Sequence, residues 1–126
     1  MARILIAEDE ESLCAMCERA LKMDGHEVTA AHDGAEALDV LTREQGRFDL
    51  LLTDVRMPVM DGVALALAAA RDFPELTILL MTGYADQRER AQGLDALIHD
   101  VVAKPFSLGT IRSAVNEALA ANATTH

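Results

Sequence analysis

Asp49-Leu50-Leu51-Leu52-Thr53 runs straight into Asp54, and this short apolar run ending on a carboxylate decides the reading of the chain. Two more runs of the same kind lie far from it. Ile4-Leu5-Ile6-Ala7 ends on Glu8-Asp9, and Val101-Val102-Ala103 ends on Lys104-Pro105. If these runs are parallel strands, their polar ends meet at one edge, because open α/β sheets place ligands beyond the carboxyl ends of their strands. Three carboxylates and one ammonium group gathered there describe a phosphoryl-transfer site.

Working outward, strand and helix patterns alternate along the chain. Strands are expected at Arg3–Ala7, Glu27–Ala31, Leu50–Thr53, Thr77–Thr82 and Val101–Ala103. Helices are expected at Glu11–Met23, Gly34–Arg43, Gly62–Arg71, Gln87–Gly93 and Leu108–Ala121. The strands are nearly continuous apolar runs, as burial on both faces of a parallel sheet requires. Asp33 with Glu36 and Asp86 with Glu89 have capping-box spacing, Ser107 can cap the last helix, and Gly25 and Gly46 follow helices where a left-handed residue is wanted. The fold class is therefore α/β, a doubly wound (βα)5 flavodoxin-like three-layer sandwich with sheet order 2-1-3-4-5. Residues 1–121 form one domain and 122–126 a short tail, so no attached output module is expected.

A chain of 126 residues with a formal charge of −10 is a poor match for duplex nucleic acid or an anionic membrane, both of which need clustered Lys and Arg. No stretch reaches the roughly 18 apolar residues of a membrane span, and Met-Ala-Arg leads directly into a strand pattern, which predicts a cytoplasmic protein. Cys14 and Cys17 form a C-x-x-C. Leu13, Met16, Cys17, Ala20 and Leu21 recur as one buried helix stripe, however, so Cys17 reads as a core residue and Cys14 as its flank.

Glu8, Asp9, Glu10 and Glu11 precede a helix, and Glu10 and Glu11 are explained by its dipole at about 0.3 to 1 kcal/mol each. Bringing Asp54 against Glu8 and Asp9 is different, since each carboxylate pair at ~4 Å costs about 4 kcal/mol at an effective dielectric near 20. A cation must neutralise such a cluster, or one acid must stay protonated. All-oxygen donors that leave room for water and phosphate favour Mg2+. Asp54 is then the nucleophile, Thr82 a hydroxyl donor and Lys104 an ammonium partner for the phosphoryl oxygens. The plainer alternatives are a polar strand terminus for Thr82 and a structural counter-ion for Lys104. Four separate strand ends agreeing on one chemistry favours the site.

Ile4-Leu5-Ile6-Ala7-Glu8-Asp9-Glu10, Leu52-Thr53-Asp54-Val55-Arg56-Met57-Pro58-Val59-Met60-Asp61-Gly62, Leu80-Met81-Thr82-Gly83-Tyr84 and Val102-Ala103-Lys104-Pro105-Phe106 together resemble the receiver domain of two-component response regulators, over nearly the whole chain. The resemblance implies that Asp54 accepts a phosphoryl group from a histidine kinase or a histidine phosphotransfer protein. It implies Mg2+ held by Glu8, Asp9, Asp54 and the backbone carbonyl of Arg56, and a cis Lys104–Pro105 bond. It also implies a switch in which Thr82 follows the phosphoryl group and biases the surface around the family's fourth helix, fifth strand and fifth helix. The family's usual switch aromatic falls at Val101 here. Tyr84 is a candidate substitute, with a partly exposed loop aromatic as the plain alternative.

The whole chain further resembles the CpdR-type single-domain regulators of α-proteobacteria. That implies an output through protein contacts, as an adaptor for the unfoldase of an AAA+ protease, in a monomer or weak dimer with no catalytic turnover beyond its own phosphorylation and dephosphorylation. Three rivals stay open: a phosphate shuttle or sink, a structural pseudo-receiver, and a magnesium-dependent phosphatase with an aspartyl nucleophile. The phosphatase generally wants a second Asp two residues after the first, where this chain has Arg56. Leu97 and Ile98 read as core packing or an apolar patch, and Arg19 and Lys22 as a donor-facing or merely solvated helix face.

Overall fold

A computed structural model describes residues 2–83 and 97–124. In chain order the elements are β1 (Arg3–Ala7), α1 (Glu11–Met23), β2 (Glu27–Ala31), α2 (Gly34–Arg43), β3 (Leu50–Asp54), α3 (Gly62–Asp72), β4 (Thr77–Thr82), β5 (Asp100–Ala103) and α4 (Leu108–Thr124). The five strands form one sheet in the order β2-β1-β3-β4-β5, and every pair is parallel. The helix expected at Gln87–Gly93 and the Asp86–Glu89 cap lie outside the described residues. Among the described residues, no helix is long and apolar enough to cross a membrane.

The apolar runs make sense once both faces of the sheet are considered. Leu5, Leu51, Ile78 and Leu80 point into a core completed by Ala37, Val40 and Leu41 of α2 and Leu65, Ala66 and Ala69 of α3. Their alternates Ile4, Ile6, Leu50, Leu52, Leu79 and Met81 point into a second core with Cys14, Cys17, Ala20 and Leu21 of α1 and Ile111, Val115 and Ala118 of α4. Each fully buried Leu or Ile contributes roughly 1.5 to 3 kcal/mol. Period-two strand geometry demands apolar residues at every position when both faces are covered.

Several boundaries move. β3 continues through Asp54, and α4 runs to Thr124, so residues 122–124 belong to a helix and not to a tail. Cys14 is 5% exposed, a core residue rather than a flank, because it packs in the second core with Cys17, Ala20 and Leu21. Asp33 caps α2 by accepting from the Glu36 amide at 2.8 Å, but the Glu36 carboxylate reaches back to the His32 amide and not to Asp33. Ser107 Oγ accepts from the Thr110 amide at 3.1 Å. Gly25 and Gly46 both take positive φ. Ile98 joins the first core, whereas Leu97 is 41% exposed.

Candidate phosphoryl-transfer site

The carboxyl ends of β1, β3, β4 and β5 line one edge of the sheet, since the parallel registers pair Ala7 with Thr53, Asp54 with Met81 and Thr82 with Ala103. Beyond β1, the Glu8 amide donates to the Ala31 carbonyl at 3.0 Å, so the chain stays aligned with the sheet for one more residue. This turns the Glu8 side chain inward, where it is completely buried. Lys104 is fixed from the other side, its amide donating to the Thr82 carbonyl at 2.7 Å, and the bond from Lys104 to Pro105 is cis.

The Lys104 ammonium group stands 3.0 Å from Glu8 Oε1 and 3.0 Å from Asp54 Oδ2, bridging two strand ends. Glu8 Oε2 accepts from the Glu10 amide at 3.1 Å. Asp54 Oδ1 is buried with no hydrogen-bond partner among the described residues. A buried carboxylate oxygen left without a donor is destabilising by about 1 to 3 kcal/mol or more, so the arrangement calls for a further positive or donor group. Asp9 is exposed, yet it places a carboxylate oxygen in one group with those of Glu8 and Asp54, all within 4.8 Å of one another. Three hard oxygen donors, one of them orphaned, fit a magnesium ion that keeps water in its remaining positions.

These groups open onto a cleft of about 820 Å³, whose lining includes Glu8, Asp9, Asp54, Arg56 and Lys104. Thr82 is buried at the end of β4, one residue past the partner of Asp54, and is not among the residues lining the cleft. Arg56 is exposed at the rim. Tyr84 lies outside the described residues, and Val101 is half-buried against the first core. Leu13, Met16 and Phe106 form an apolar wall of the same cleft. The sequence does not show this wall, because Leu13 and Met16 fit the buried stripe of α1, yet both are only partly buried against the second core. Asp49 sits at the opposite end of β3, where its carboxylate accepts from the Arg3 amide at 2.8 Å. Burial pushes the Cys17 thiol up to about 12 and raises Cys14 as well, which leaves both as inert thiols.

Burial also pushes Glu8 up to about 7. Repulsion from Asp54 adds to the rise, while the Glu10 amide and Lys104 oppose it. Because the folded value lies above the usual 4.5, the metal-free fold holds this proton more tightly than the unfolded chain. Its stabilising contribution is complete below about 4.5 and is lost as pH rises toward 7. With Glu8 among its ligands, magnesium would have to displace the same proton, so its affinity is expected to fall about tenfold between pH 8 and pH 6 and to level off above pH 8. Calorimetric titration with MgCl2 at the two pH values measures this, and a pH-independent affinity would count against Glu8 as a ligand.

A doubly wound 2-1-3-4-5 sheet with this acid cluster and lysine at its carboxyl edge is the architecture of a phosphoacceptor domain of two-component signalling. The chain belongs to the response regulator receiver domain family, which matches residues 4–116. It is 38% identical over 106 residues to the response regulator MprA of Mycobacterium avium, covering 84% of this chain and 46% of that protein. It therefore spans about half the length of the curated relatives it matches. Among solved structures, a CheY-like receiver domain from Methanospirillum hungatei superposes with a TM-score of 0.89 at 26% identity, over 100% of this chain and 99% of that one. The response regulator TrrA of Thermotoga maritima, solved in complex with Mg2+-BeF, gives a TM-score of 0.81 at 26% identity, over 94% of this chain and 99% of that one. Receiver domains take a phosphoryl group on an aspartate, bind Mg2+ at an acidic pocket and interact with histidine kinases or phosphotransfer proteins.

Proposed function

We propose that Asp54 is the phosphoryl acceptor of this chain and that its modification switches protein–protein contacts. The carrying observation is the orphaned, buried Asp54 Oδ1 beside the Lys104 ammonium group, with Glu8 and Asp9 at hand. A carboxylate oxygen of Asp54 forms a bond to phosphorus while the bond from phosphorus to a histidine nitrogen of the donor breaks, and the imidazole leaves with the electron pair and takes up a proton. Glu8, Asp9, Asp54 and the Arg56 carbonyl hold Mg2+, which supplies positive charge against the phosphoryl oxygens. Lys104 then exchanges its pairing with Asp54 for the new phosphoryl oxygens, and Thr82, at the neighbouring strand end, donates its hydroxyl to them. Movement of Thr82 biases the surface around β5 and the helix after it, and a few kcal/mol suffices, since about 5.5 kcal/mol reverses a 99:1 ratio.

The output partner is a protein, because a chain with a net charge of −10 lacks the basic clusters that nucleic acid or anionic lipid would need. In the finer reading the unphosphorylated domain is an adaptor for the unfoldase of an AAA+ protease in the cytoplasm. Its support is the whole-chain resemblance to single-domain adaptors. Wild-type chain incubated with MgCl2 and acetyl phosphate is expected to gain one phosphoryl group by intact mass, and none in EDTA. Immobilised wild-type and Asp54→Ala chains should both capture the protease unfoldase, and the phosphorylated form should release it. No magnesium-dependent mass gain would end the acceptor reading; loss of capture in Asp54→Ala would end the adaptor reading alone.

A further inference from the structure

The loop from Val55 to Asp61 carries Arg56, so its shape sets where that residue's carbonyl stands. It contains Val59 at φ 67, a left-handed conformation that β-branched side chains rarely adopt. Val59 is 85% exposed, so packing of its side chain does not explain why the conformation persists. Strain of this kind survives only where surrounding contacts over-determine it. Two hydrogen bonds do so here: the Met60 amide donates to the Pro58 carbonyl at 2.8 Å, and the Gly34 amide donates to the Met60 carbonyl at 3.0 Å.

Gly34 is the first residue of α2 and comes from the far side of β1. A Cβ there would overlap the Met60 carbonyl oxygen and lie 2.9 Å from its carbon, so only glycine permits the approach. Asp33 fixes the orientation of this first turn by capping it through the Glu36 amide. We infer that Gly34 is a positioning residue for phosphoryl transfer: the start of α2 clamps the strained Val59–Met60 segment and thereby holds the Arg56 carbonyl in register with Glu8, Asp9 and Asp54. The inference rests on Asp54 being the acceptor and adds a second helix to the machinery of that site.

The test compares wild-type, Gly34→Ala, Asp33→Ala and Gly25→Ala chains at a temperature where circular dichroism shows each folded. Magnesium affinity is read by calorimetry, and the initial rate of phosphoryl uptake is followed across acetyl phosphate concentrations. Gly34→Ala is expected to weaken magnesium binding about fivefold and to lower the saturating rate about tenfold, since small displacements of a ligand set are amplified in the rate. Asp33→Ala, which frays the same turn, should move both by about two- to threefold, and it carries the test if Gly34→Ala does not fold. Gly25→Ala meets a strained positive φ at the opposite end of the sheet. It should lower the melting temperature yet leave affinity and rate within about twofold.

Adding Val59→Gly to Gly34→Ala should recover part of the rate, because glycine holds a left-handed backbone without a clamp. Wild-type affinity and rate in Gly34→Ala, or equal losses in Gly25→Ala, would overturn the clamp while leaving Asp54 as acceptor. A wild-type chain that takes up no phosphoryl group overturns both.

Discussion

Asp54→Asn chain is expected to take up no phosphoryl group from acetyl phosphate at any magnesium concentration, and to melt at a higher temperature than wild type in EDTA. The first effect follows from chemistry at one atom: an amide oxygen is a far weaker nucleophile than a carboxylate, and the acyl phosphate cannot form on it. The second follows from electrostatics. Asp54 Oδ1 is buried without a donor, and a single ammonium group, that of Lys104, bridges Asp54 and Glu8. Removing one of the two charges leaves Lys104 paired with Glu8 and relieves the repulsion that helps raise the Glu8 carboxyl. A gain of about 1 to 2 kcal/mol is expected, or roughly 3 to 8 °C in a domain of this size.

Millimolar magnesium should close that gap. Wild type is stabilised by the ion in proportion to the logarithm of its concentration over its dissociation constant, whereas the variant has lost a ligand. Intact-mass measurement and thermal melts with and without MgCl2 read both effects. Phosphoryl uptake persisting in the variant would move the acceptor elsewhere, with Asp9 the first residue to inspect. A variant less stable than wild type in EDTA would mean that the Asp54–Lys104 pair outweighs the repulsion.

The physics that made this site legible in the sequence is short-range and periodic. Strands buried on both faces must be apolar throughout, so Ile4–Ala7 and Leu50–Thr53 declare themselves, and the polar residues that end them can only stand at a sheet edge. Parallel pairing then brings Glu8, Asp54 and Lys104 together without any knowledge of the helices. Other features depended on three-dimensional contact. That Lys104 contacts both Glu8 and Asp54 depends on its reach across the end of β4, whereas the sequence points only to an ammonium partner for phosphoryl oxygens or a counter-ion for the acids. Cys14 reads as flank or core according to which neighbours meet it, and in the fold it joins the second core. The cap of α3, in which Asp61 Oδ1 accepts from the Ala64 amide at 2.9 Å, was hidden because Asp61 already had a place in the receiver-like motif. Val59 and Gly34 carry no local signal at all, since their meaning arises from a hydrogen bond between segments more than twenty residues apart.

Gly62→Ala is expected to be the most damaging single-methyl change among the glycines Gly25, Gly34, Gly46, Gly62 and Gly109. By propensity alone alanine in a helix is worth about 1 kcal/mol over glycine, and Gly62 opens α3, so an argument from secondary structure predicts stabilisation. Contact geometry predicts the reverse. A Cβ on Gly62 would overlap the Asp54 carbonyl oxygen, with the Asp54 carbonyl carbon at 2.8 Å and Val55 Cα at 2.9 Å. All three are backbone atoms, so no side-chain rotation relieves the overlap. The Gly62 amide is also bonded to the Val55 carbonyl at 2.7 Å, which closes the loop on itself. The added methyl must therefore push α3 away from the end of β3 or displace Asp54. Overpacking of this kind costs about 3 kcal/mol, roughly 10 °C in melting temperature for a chain of this length. The fraction that stays folded carries a displaced nucleophile, and a shift near 1 Å costs about a hundredfold in rate. Thermal melts and acetyl phosphate labelling of Gly62→Ala separate the two losses. A variant that melts higher than wild type, as helix propensity alone demands, would show that α3 can move aside freely and that the close approach of its first residue to Asp54 does not set the geometry of the acceptor.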